Sequence, residues 1–230
     1  KHDRLVMSVS GHGERKLDGG AVHDMGEFGR QLAYKGFHTA ATSLALIPEV
    51  PAEISVLLLT QPRTEISPGE VDKIRRYLER GGSLLWLLEP GSLKGMQPIV
   101  EALGLALTPG EVIDPAAPEA GFALTTAVAA QYGPHAVTSQ FDLVTLYPHA
   151  RPLGMNDDPG WRATPLIETS ARAWVENGLA DQQAIFNEGQ DIPGPVVIGW
   201  ALEREQEEIK QRVVVIGSGD FLANAYLGHA

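Results

Sequence analysis

The feature that most constrains the fold is a set of short apolar runs, each of which stops at a turn or at a polar residue. These runs span residues 5–10, 54–59, 84–88, 196–202 and 213–216. Runs that are apolar on successive residues are typical of strands buried on both faces of a sheet. In an open α/β sheet, ligands bind beyond the carboxyl ends of such strands. The pattern therefore predicts a buried sheet and the position of a site, but it does not predict a chemistry.

Composition narrows the function classes. A chain of 230 residues is long enough to bury a sizeable core without disulfides or metals. Eighteen basic and 29 acidic side chains give a net charge of -11, and no local basic patch stands out, so we expect no nucleic-acid partner. The chain has no cysteine, which excludes disulfides, thiolate nucleophiles and thiolate metal sites.

The beginning of the sequence bears on its context. No apolar run approaches the ~18 residues that a membrane-spanning helix needs. The chain begins at Lys1 with neither an initiator Met nor a signal peptide. We therefore expect it to be a piece of a longer protein.

Helix signals alternate with the apolar runs over the first hundred residues. Helical spacing predicts a helix over 20–35, followed by a strand over 37–45. The segment Ser67-Pro68-Gly69-Glu70 has the form of a capping box with Pro at the first helical position, and Gly81-Gly82 ends that helix. A shorter helix is predicted over 95–103. This alternation favours a mostly parallel sheet flanked by helices.

Prolines become frequent from about residue 105, and the apolar runs become short. Such spacing forbids long helices and suits short or edge strands. We interpret 105–191 as an irregular β-rich insertion within a single α/β domain that spans 1–230. The polar stretch 203–211 predicts a solvated hairpin loop between the last two strands, and 221–227 is the start of a helix.

The sharpest local signal is Gly11-His12-Gly13-Glu14, at the end of the first run. Two glycines allow a tight turn that brings backbone N–H groups near a ligand, and His12 and Glu14 could act as base, metal ligand or hydrogen-bond partner. The alternative is an ordinary turn with a solvated His and Glu. As a phosphate loop the segment is poor, because no GxGxxG or GxxxxGK[ST] pattern follows.

A second signal is Gly217-Ser218-Gly219-Asp220, in which a Ser stands between glycines. A nucleophile elbow needs Gly-x-Ser-x-Gly, so the spacing fails. We interpret Asp220 as the N-cap of the following helix, with a functional carboxylate as the alternative. A Mg²⁺ or Ca²⁺ site could be assembled from His12, Glu14, Glu89 and Asp220. No HExxH motif, EF-hand loop or close His pair supports it, so we predict no metal and no cofactor.

Weaker signals involve three further groups. A Ser/His/acid triad of Ser218 with His12 or His135 has little support, because a Ser and a His occur in most chains of this length. An exposed His135 or Trp174 could touch a ligand or partner, since irregular loops often carry binding residues. Packing of the insertion onto the sheet is the better interpretation of Trp174.

Taken in order, several short segments resemble one family. They are GHGE at 11–14, IP at 47–48, QP at 61–62, SPGE at 67–70, YLERGGSLL at 77–85, EP at 89–90, VIDP at 112–115, YGPHAVT at 132–138, PLIETS at 165–170 and RVVVIGSGDF at 212–221. With these segments the chain resembles the extracytoplasmic domain of ABC-type uncharacterized transport system auxiliary proteins, of the gliding-motility type. The likeness covers nearly the whole chain.

This resemblance implies a fold, a location and partners. The implied fold is a flavodoxin-like or class I glutamine amidotransferase-like sheet. The implied location is periplasmic, with flanking transmembrane helices outside the printed sequence that hold the domain at the cytoplasmic membrane. The implied partners are an ABC permease and an ATPase. Because enzymes of the amidotransferase type use a Cys nucleophile, glutaminase chemistry is excluded here, and the absence of a Walker motif excludes ATP hydrolysis.

Three function hypotheses follow. The first is a non-enzymatic accessory or substrate-binding domain of an ABC-2-type transport system, with a glycan or another exported substrate as its ligand. Its ligand-binding cleft would be lined by His12, Gly13, Glu14, Gln61, Glu89 and Asp220. The second is a hydrolase or carbohydrate-processing enzyme that uses His12 and Glu14 with Glu89 or Asp220. The third is a protein-interaction module, which an exposed apolar patch would mark.

Overall fold

The computed structural model describes residues 4–157, 160–177, 184–206 and 209–227. The helices are α1 (Gly26–Tyr34), α2 (Pro68–Glu79), α3 (Gln97–Ala102), α4 (Ala116–Glu119) and α5 (Asn224–Leu227), with a 3-10 turn at Asp220–Leu222. The strands are β1 (Leu5–Ser10), β2 (His38–Ser43), β3 (Val56–Leu59), β4 (Leu84–Leu87), β5 (Leu105–Leu107), β6 (Glu111–Ile113), β7 (Thr126–Ala129), β8 (Gln131–Tyr132), β9 (Thr145–Pro148), β10 (Leu153–Met155), β11 (Arg162–Glu168), β12 (Trp174–Glu176), β13 (Ile192–Pro193), β14 (Val197–Gln206) and β15 (Ile209–Ile216). None of the helices in these ranges has the length and apolarity that crossing a membrane requires.

One large sheet organises the fold. Within the described residues it has eight strands, in the order β2-β1-β3-β4-β15-β14-β11-β8. The first five of these are parallel, and each of the last three runs antiparallel to its neighbour. The prediction of a mixed α/β fold with a mostly parallel sheet is confirmed.

The middle of this sheet is buried on both faces. Leu57 and Leu59 of β3 lie in one apolar cluster together with Ile74 of α2, whereas Leu58 lies in a second cluster. Successive side chains of a strand point to opposite faces, so the two clusters occupy opposite sides of the sheet. Phe28 of α1 packs against the second cluster. Helices therefore cover both faces, as the continuous apolar runs require.

The predicted capping box forms at the start of α2. The Glu70 carboxylate accepts hydrogen bonds from the Ser67 backbone N–H at 3.3 Å and from the Ser67 hydroxyl at 2.7 Å. The buried side of the helix carries the predicted apolar stripe, namely Val71, Ile74, Tyr77 and Leu78. Gly81, with φ of 86°, adopts the left-handed conformation just after the helix. Both predicted ends of this helix are confirmed to within a residue or two.

The helix predicted over 20–35 is shorter than expected and begins only at Gly26. The cause is Asp24, whose carboxylate accepts the backbone N–H groups of Lys16 at 3.1 Å and Ala21 at 3.2 Å. Such side-chain bonds to the backbone compete with helix formation. They hold the residues before Gly26 in turns.

The strand β14 is antiparallel to β15, as the hairpin predicted between the last two strands requires. Glu203 therefore lies at the other edge of the sheet, where it pairs with Arg162. The loop predicted over 203–211 is mostly strand, because β14 extends to Gln206 and β15 begins at Ile209. Residues 207–208 lie outside the described part.

The segment 105–191 contains many short strands, as its prolines suggest. Several pair among themselves in small sheets, whereas β11 and β8 extend the large sheet beyond β14. Trp174 is buried in β12, at 8% exposure, so its packing role is confirmed. Residues 178–183 of this segment lie outside the described part. That the whole chain is one domain stays a prediction.

Candidate functional site

The parallel strands β1, β3, β4 and β15 end at one edge of the large sheet. The loops that follow them carry every residue predicted to line a ligand site. These residues do not form one cluster. All except Gln61 lie in or next to one of two separate sets of contacts. One set is centred on Arg15 and the other on His12.

Arg15 connects the loops after three strands. Its Nε and Nη2 atoms donate to Glu89 Oε1 at 3.0 and 2.6 Å, and Nη2 also donates to Asp220 Oδ1 at 2.6 Å. Its Nη1 atom donates to the backbone oxygen of His23 at 2.6 Å. The Arg15 side chain is only 4% exposed. We call Arg15, Glu89 and Asp220 the arginine network.

The two carboxylates of the network compensate for the burial of the Arg15 guanidinium. Burial by itself lowers the pKa of Arg15, but the adjacent carboxylates of Glu89 and Asp220 outweigh it, and the pKa is raised above its usual value. Arg15 therefore stays charged. Its contacts engage one oxygen of each carboxylate, Glu89 Oε1 and Asp220 Oδ1.

The structure corrects the role predicted for Asp220. Its carboxylate accepts a hydrogen bond from Arg15, while the N-cap position of the following 3-10 turn is Gly219, without a side-chain cap. Arg15 itself was not predicted. Its partners are 74 and 205 positions away, and the only sequence signal was its place directly after Glu14.

Ser218 is excluded as a nucleophile. Its side chain is fully buried, and its hydroxyl donates to the backbone oxygen of Pro148 at 2.6 Å. His135 lies 3.8 Å from Glu203, which belongs to the opposite edge of the sheet. The structure therefore brings together neither the nucleophile elbow nor a triad of Ser218 with His135.

His12 is the centre of the second set of contacts. Its Nδ1 atom lies 3.5 Å from Glu14 Oε1, and its Nε2 atom lies 3.4 Å from Glu70 Oε2. The tight turn forms as predicted, with Gly13 at φ of 84°. The backbone N–H of His12 donates to Glu14 Oε2 at 2.7 Å. The Glu14 side chain is 1% exposed, so the interpretation of a solvated turn is wrong. We call His12, Glu14 and Glu70 the histidine cluster.

Gln61 belongs to neither set. Its side-chain amide donates to the backbone oxygen of Ser92 at 2.5 Å and so connects the loops after β3 and β4. Next to it, the Thr60 hydroxyl accepts the Arg15 backbone N–H at 3.1 Å. These bonds hold adjacent strand-end loops at a fixed spacing.

A cleft of about 480 Å³ lies beside the histidine cluster. Its wall is formed by His12, Glu65, Ile66, Ser67, Pro68, Glu70, Val71, Asp72, Gly95 and Pro98. Glu70 was predicted only as part of a capping box. The signal that could have assigned it to a site is that α2 begins directly after the loop that follows β3, at the edge where ligands bind in such sheets.

The structure does not assemble the metal site considered from sequence. Glu89 and Asp220 are held by Arg15, whereas His12 contacts Glu14 and Glu70. In the part of the chain that the structure describes, no three His, Asp or Glu side chains are arranged to hold a metal ion.

Solved structures with similar folds were found at low sequence identity. A structure described as the mmIFT52 N-terminal domain is 14% identical, with a TM-score of 0.71, covering 97% of this chain and 90% of that chain. The exo-beta-1,4-mannosidase Op5Man5 from Opitutaceae bacterium strain TAV5 is 14% identical, with a TM-score of 0.52, covering 98% of this chain and 33% of that chain. This chain thus spans about a third of the mannosidase. At these identities the likeness shows the fold alone.

Comparison of the sequence itself gives a more definite relationship. No curated protein sequence matched the chain. A family model, by contrast, aligns with almost the full length of this chain. The model described as ABC-type uncharacterized transport system matches residues 4–230, and the chain therefore belongs to this family of ABC transport auxiliary components.

Proposed function

We propose that the chain is a non-enzymatic, extracytoplasmic accessory domain of an ABC-2-type transport system, which binds a partner or an exported substrate at the strand ends. The observation that carries the proposal is the arginine network. In it, one buried cation binds both of the carboxylates best placed for chemistry and connects three strand-end loops. Such a site is suited to a rigid binding platform rather than to bond cleavage.

The family supports the transport role, and the sequence resemblance supports a periplasmic location with membrane anchors outside the printed sequence. The order of the parallel strands, β2-β1-β3-β4-β15, supports a flavodoxin-like arrangement, whose order is 2-1-3-4-5. In that arrangement the ligand crevice lies between β1 and β3. His12 and Glu14 follow β1, and Glu70 lies in the first turn of α2, the helix after β3. The position of the histidine cluster agrees with that crevice.

The test is co-purification from native membranes. The full-length protein with its natural flanking segments is expressed at native level, captured, and examined for the ABC permease and the ATPase encoded with it. We expect both to be recovered. Failure to recover either, under conditions in which permease and ATPase still copurify with each other, would overturn the accessory role.

One observation favours a second candidate function, a carbohydrate-processing hydrolase. His12 lies within 3.5 Å of two carboxylates at the wall of a cleft large enough for a small ligand. Incubation with a panel of chromogenic glycosides tests this alternative. It requires turnover that His12→Ala abolishes and that Arg172→Ala, at an exposed ion pair far along the chain, leaves unchanged.

A further inference from the structure

The histidine cluster carries more negative charge than its own side chains neutralise. Glu14 and Glu70 are 1% and 8% exposed at their side chains. Among the described residues neither forms an ion pair with a Lys or Arg, and His12, which is charged only when protonated, is their shared neighbour. The amino end of α2 offsets about half a unit of charge near Glu70. Most of the negative charge stays uncompensated.

The hydrogen bonds of these carboxylates are also incomplete. Glu70 Oε2 accepts two bonds from Ser67, whereas Glu70 Oε1 has no donor among the described residues. The same holds for Glu14 Oε1. A buried carboxylate oxygen without a donor is costly, and a cation that donates hydrogen bonds removes both the missing bond and the excess charge.

The cleft lies where such a cation would enter. Glu70 forms part of its wall, and the exposed Glu65 and Asp72 add two more carboxylates, of which Asp72 also pairs with Arg75 at 3.4 Å. The same wall contains the apolar side chains of Ile66 and Val71. No Lys or Arg is among the residues that line it. The cleft therefore offers acidic groups for a cationic head and an apolar surface for the carbon skeleton attached to it.

We infer that this cleft binds a small organic ligand through a primary ammonium group, held by Glu70 with His12 and Glu14 behind it. An ammonium group has three donors and a full charge, which match the carboxylate oxygens that lack a donor. Neutral hydroxyls would supply donors but would leave the charge uncompensated. The inference rests on the proposed function, since it specifies the ligand of the binding domain.

The test uses matched pairs of probes in calorimetric titrations of the 230-residue chain. Glucosamine and n-butylamine are cations at neutral pH, and N-acetylglucosamine and n-butanol are their neutral counterparts. We expect saturable binding of at least one cation, and binding of its neutral counterpart to be weaker by about tenfold or more, as for loss of a charged hydrogen bond.

Two variants locate the binding. Glu70→Gln removes the charge but keeps the capping box, in which Gln also serves, and is expected to weaken binding of the cation about tenfold. Asp72→Asn, at an exposed position of the cleft wall, is expected to weaken it about twofold. Glu79→Gln, at the far end of the same helix, is the matched control and should leave binding unchanged.

Three results would overturn the inference: no saturable binding of either cation, equal binding of a cation and its neutral counterpart, or cation binding that Glu70→Gln leaves unchanged. The outcomes also separate this inference from the accessory role. Recovery of permease and ATPase without amine binding refutes the ligand class alone, whereas amine binding without their recovery refutes the accessory role alone.

Discussion

Arg15 and Asp220 lie 205 positions apart in the chain, and a 2.6 Å hydrogen bond from Nη2 to Oδ1 joins them. Arg15 follows the first strand of the large sheet, and Asp220 follows the last parallel strand of that sheet to be reached along the chain. Glu89, which follows β4, shares the same guanidinium. The network thus connects the loops after β1, β4 and β15 through one shared guanidinium.

Arg15→Met is expected to destabilise the fold by about 3 kcal/mol, because it leaves two carboxylates without their buried cation. The free energy of unfolding from urea denaturation measures the effect. Arg15→Lys keeps the charge but cannot donate to Glu89, Asp220 and the His23 carbonyl together, so we expect a smaller loss, of about 1–2 kcal/mol.

The triple variant Arg15→Met, Glu89→Gln, Asp220→Asn is the control for this explanation. It removes the uncompensated charges, so it should recover part of the stability lost in Arg15→Met. A triple variant that is less stable than Arg15→Met would show that the charges are not the cause.

Gly219→Ala tests how closely the network is packed. A Cβ atom at this position would lie 2.6 Å from Glu89 Oε1 and 3.3 Å from Arg15 Nε. We expect a loss of about 1–3 kcal/mol of unfolding free energy, as for overpacking of a closely packed site. Gly69→Ala in the first turn of α2 meets nothing within 4 Å and should stabilise by about 0.5 kcal/mol. Equal effects of the two changes would contradict the model of a tight network.

Local patterns predicted the elements, whereas long-range pairing decided the site. The capping box of Ser67 and Glu70 and the apolar run 5–10 are local signals. The elements that they predict, α2 and β1, form at the predicted positions. The antiparallel direction of β14 followed from the hairpin predicted between the last two strands, although the polar loop of that hairpin is mostly strand. The partners of Arg15 could not be predicted, since three loops far apart in sequence must meet before those bonds exist.

Ser218→Ala is expected to cost about 1–2 kcal/mol of unfolding free energy, because the Pro148 carbonyl then lacks its donor in the interior. Ser139→Ala, at an exposed hydroxyl, serves as the matched control and should change stability by less than about 0.5 kcal/mol. A fluorophosphonate probe should not label the folded chain at Ser218. Specific labelling there would show that this hydroxyl is accessible and reactive.

Tyr77 should give the fold a marked sensitivity to alkaline pH. Burial raises the pKa of Tyr77 to about 12, and its hydroxyl donates to the Ser83 carbonyl at 2.9 Å. Because the pKa is higher in the folded state than the usual value of 10.0, the stabilisation is fully present below pH 10 and is lost as pH rises toward 12.

The integrated loss from Tyr77 amounts to about 2 kcal/mol between those pH values. Urea denaturation of the wild type and of Tyr77→Phe across this range measures it. At neutral pH, Tyr77→Phe should be less stable by about 1 kcal/mol, because the bond to Ser83 is lost. As pH rises toward 12, the two curves should converge and then cross, since Phe does not ionise and the loss of about 2 kcal/mol in the wild type exceeds the initial difference. Tyr34→Phe, at a position that is 85% exposed, should run parallel to the wild type. Parallel curves for Tyr77→Phe would instead show that Tyr77 ionises as readily in the folded chain as in the unfolded chain.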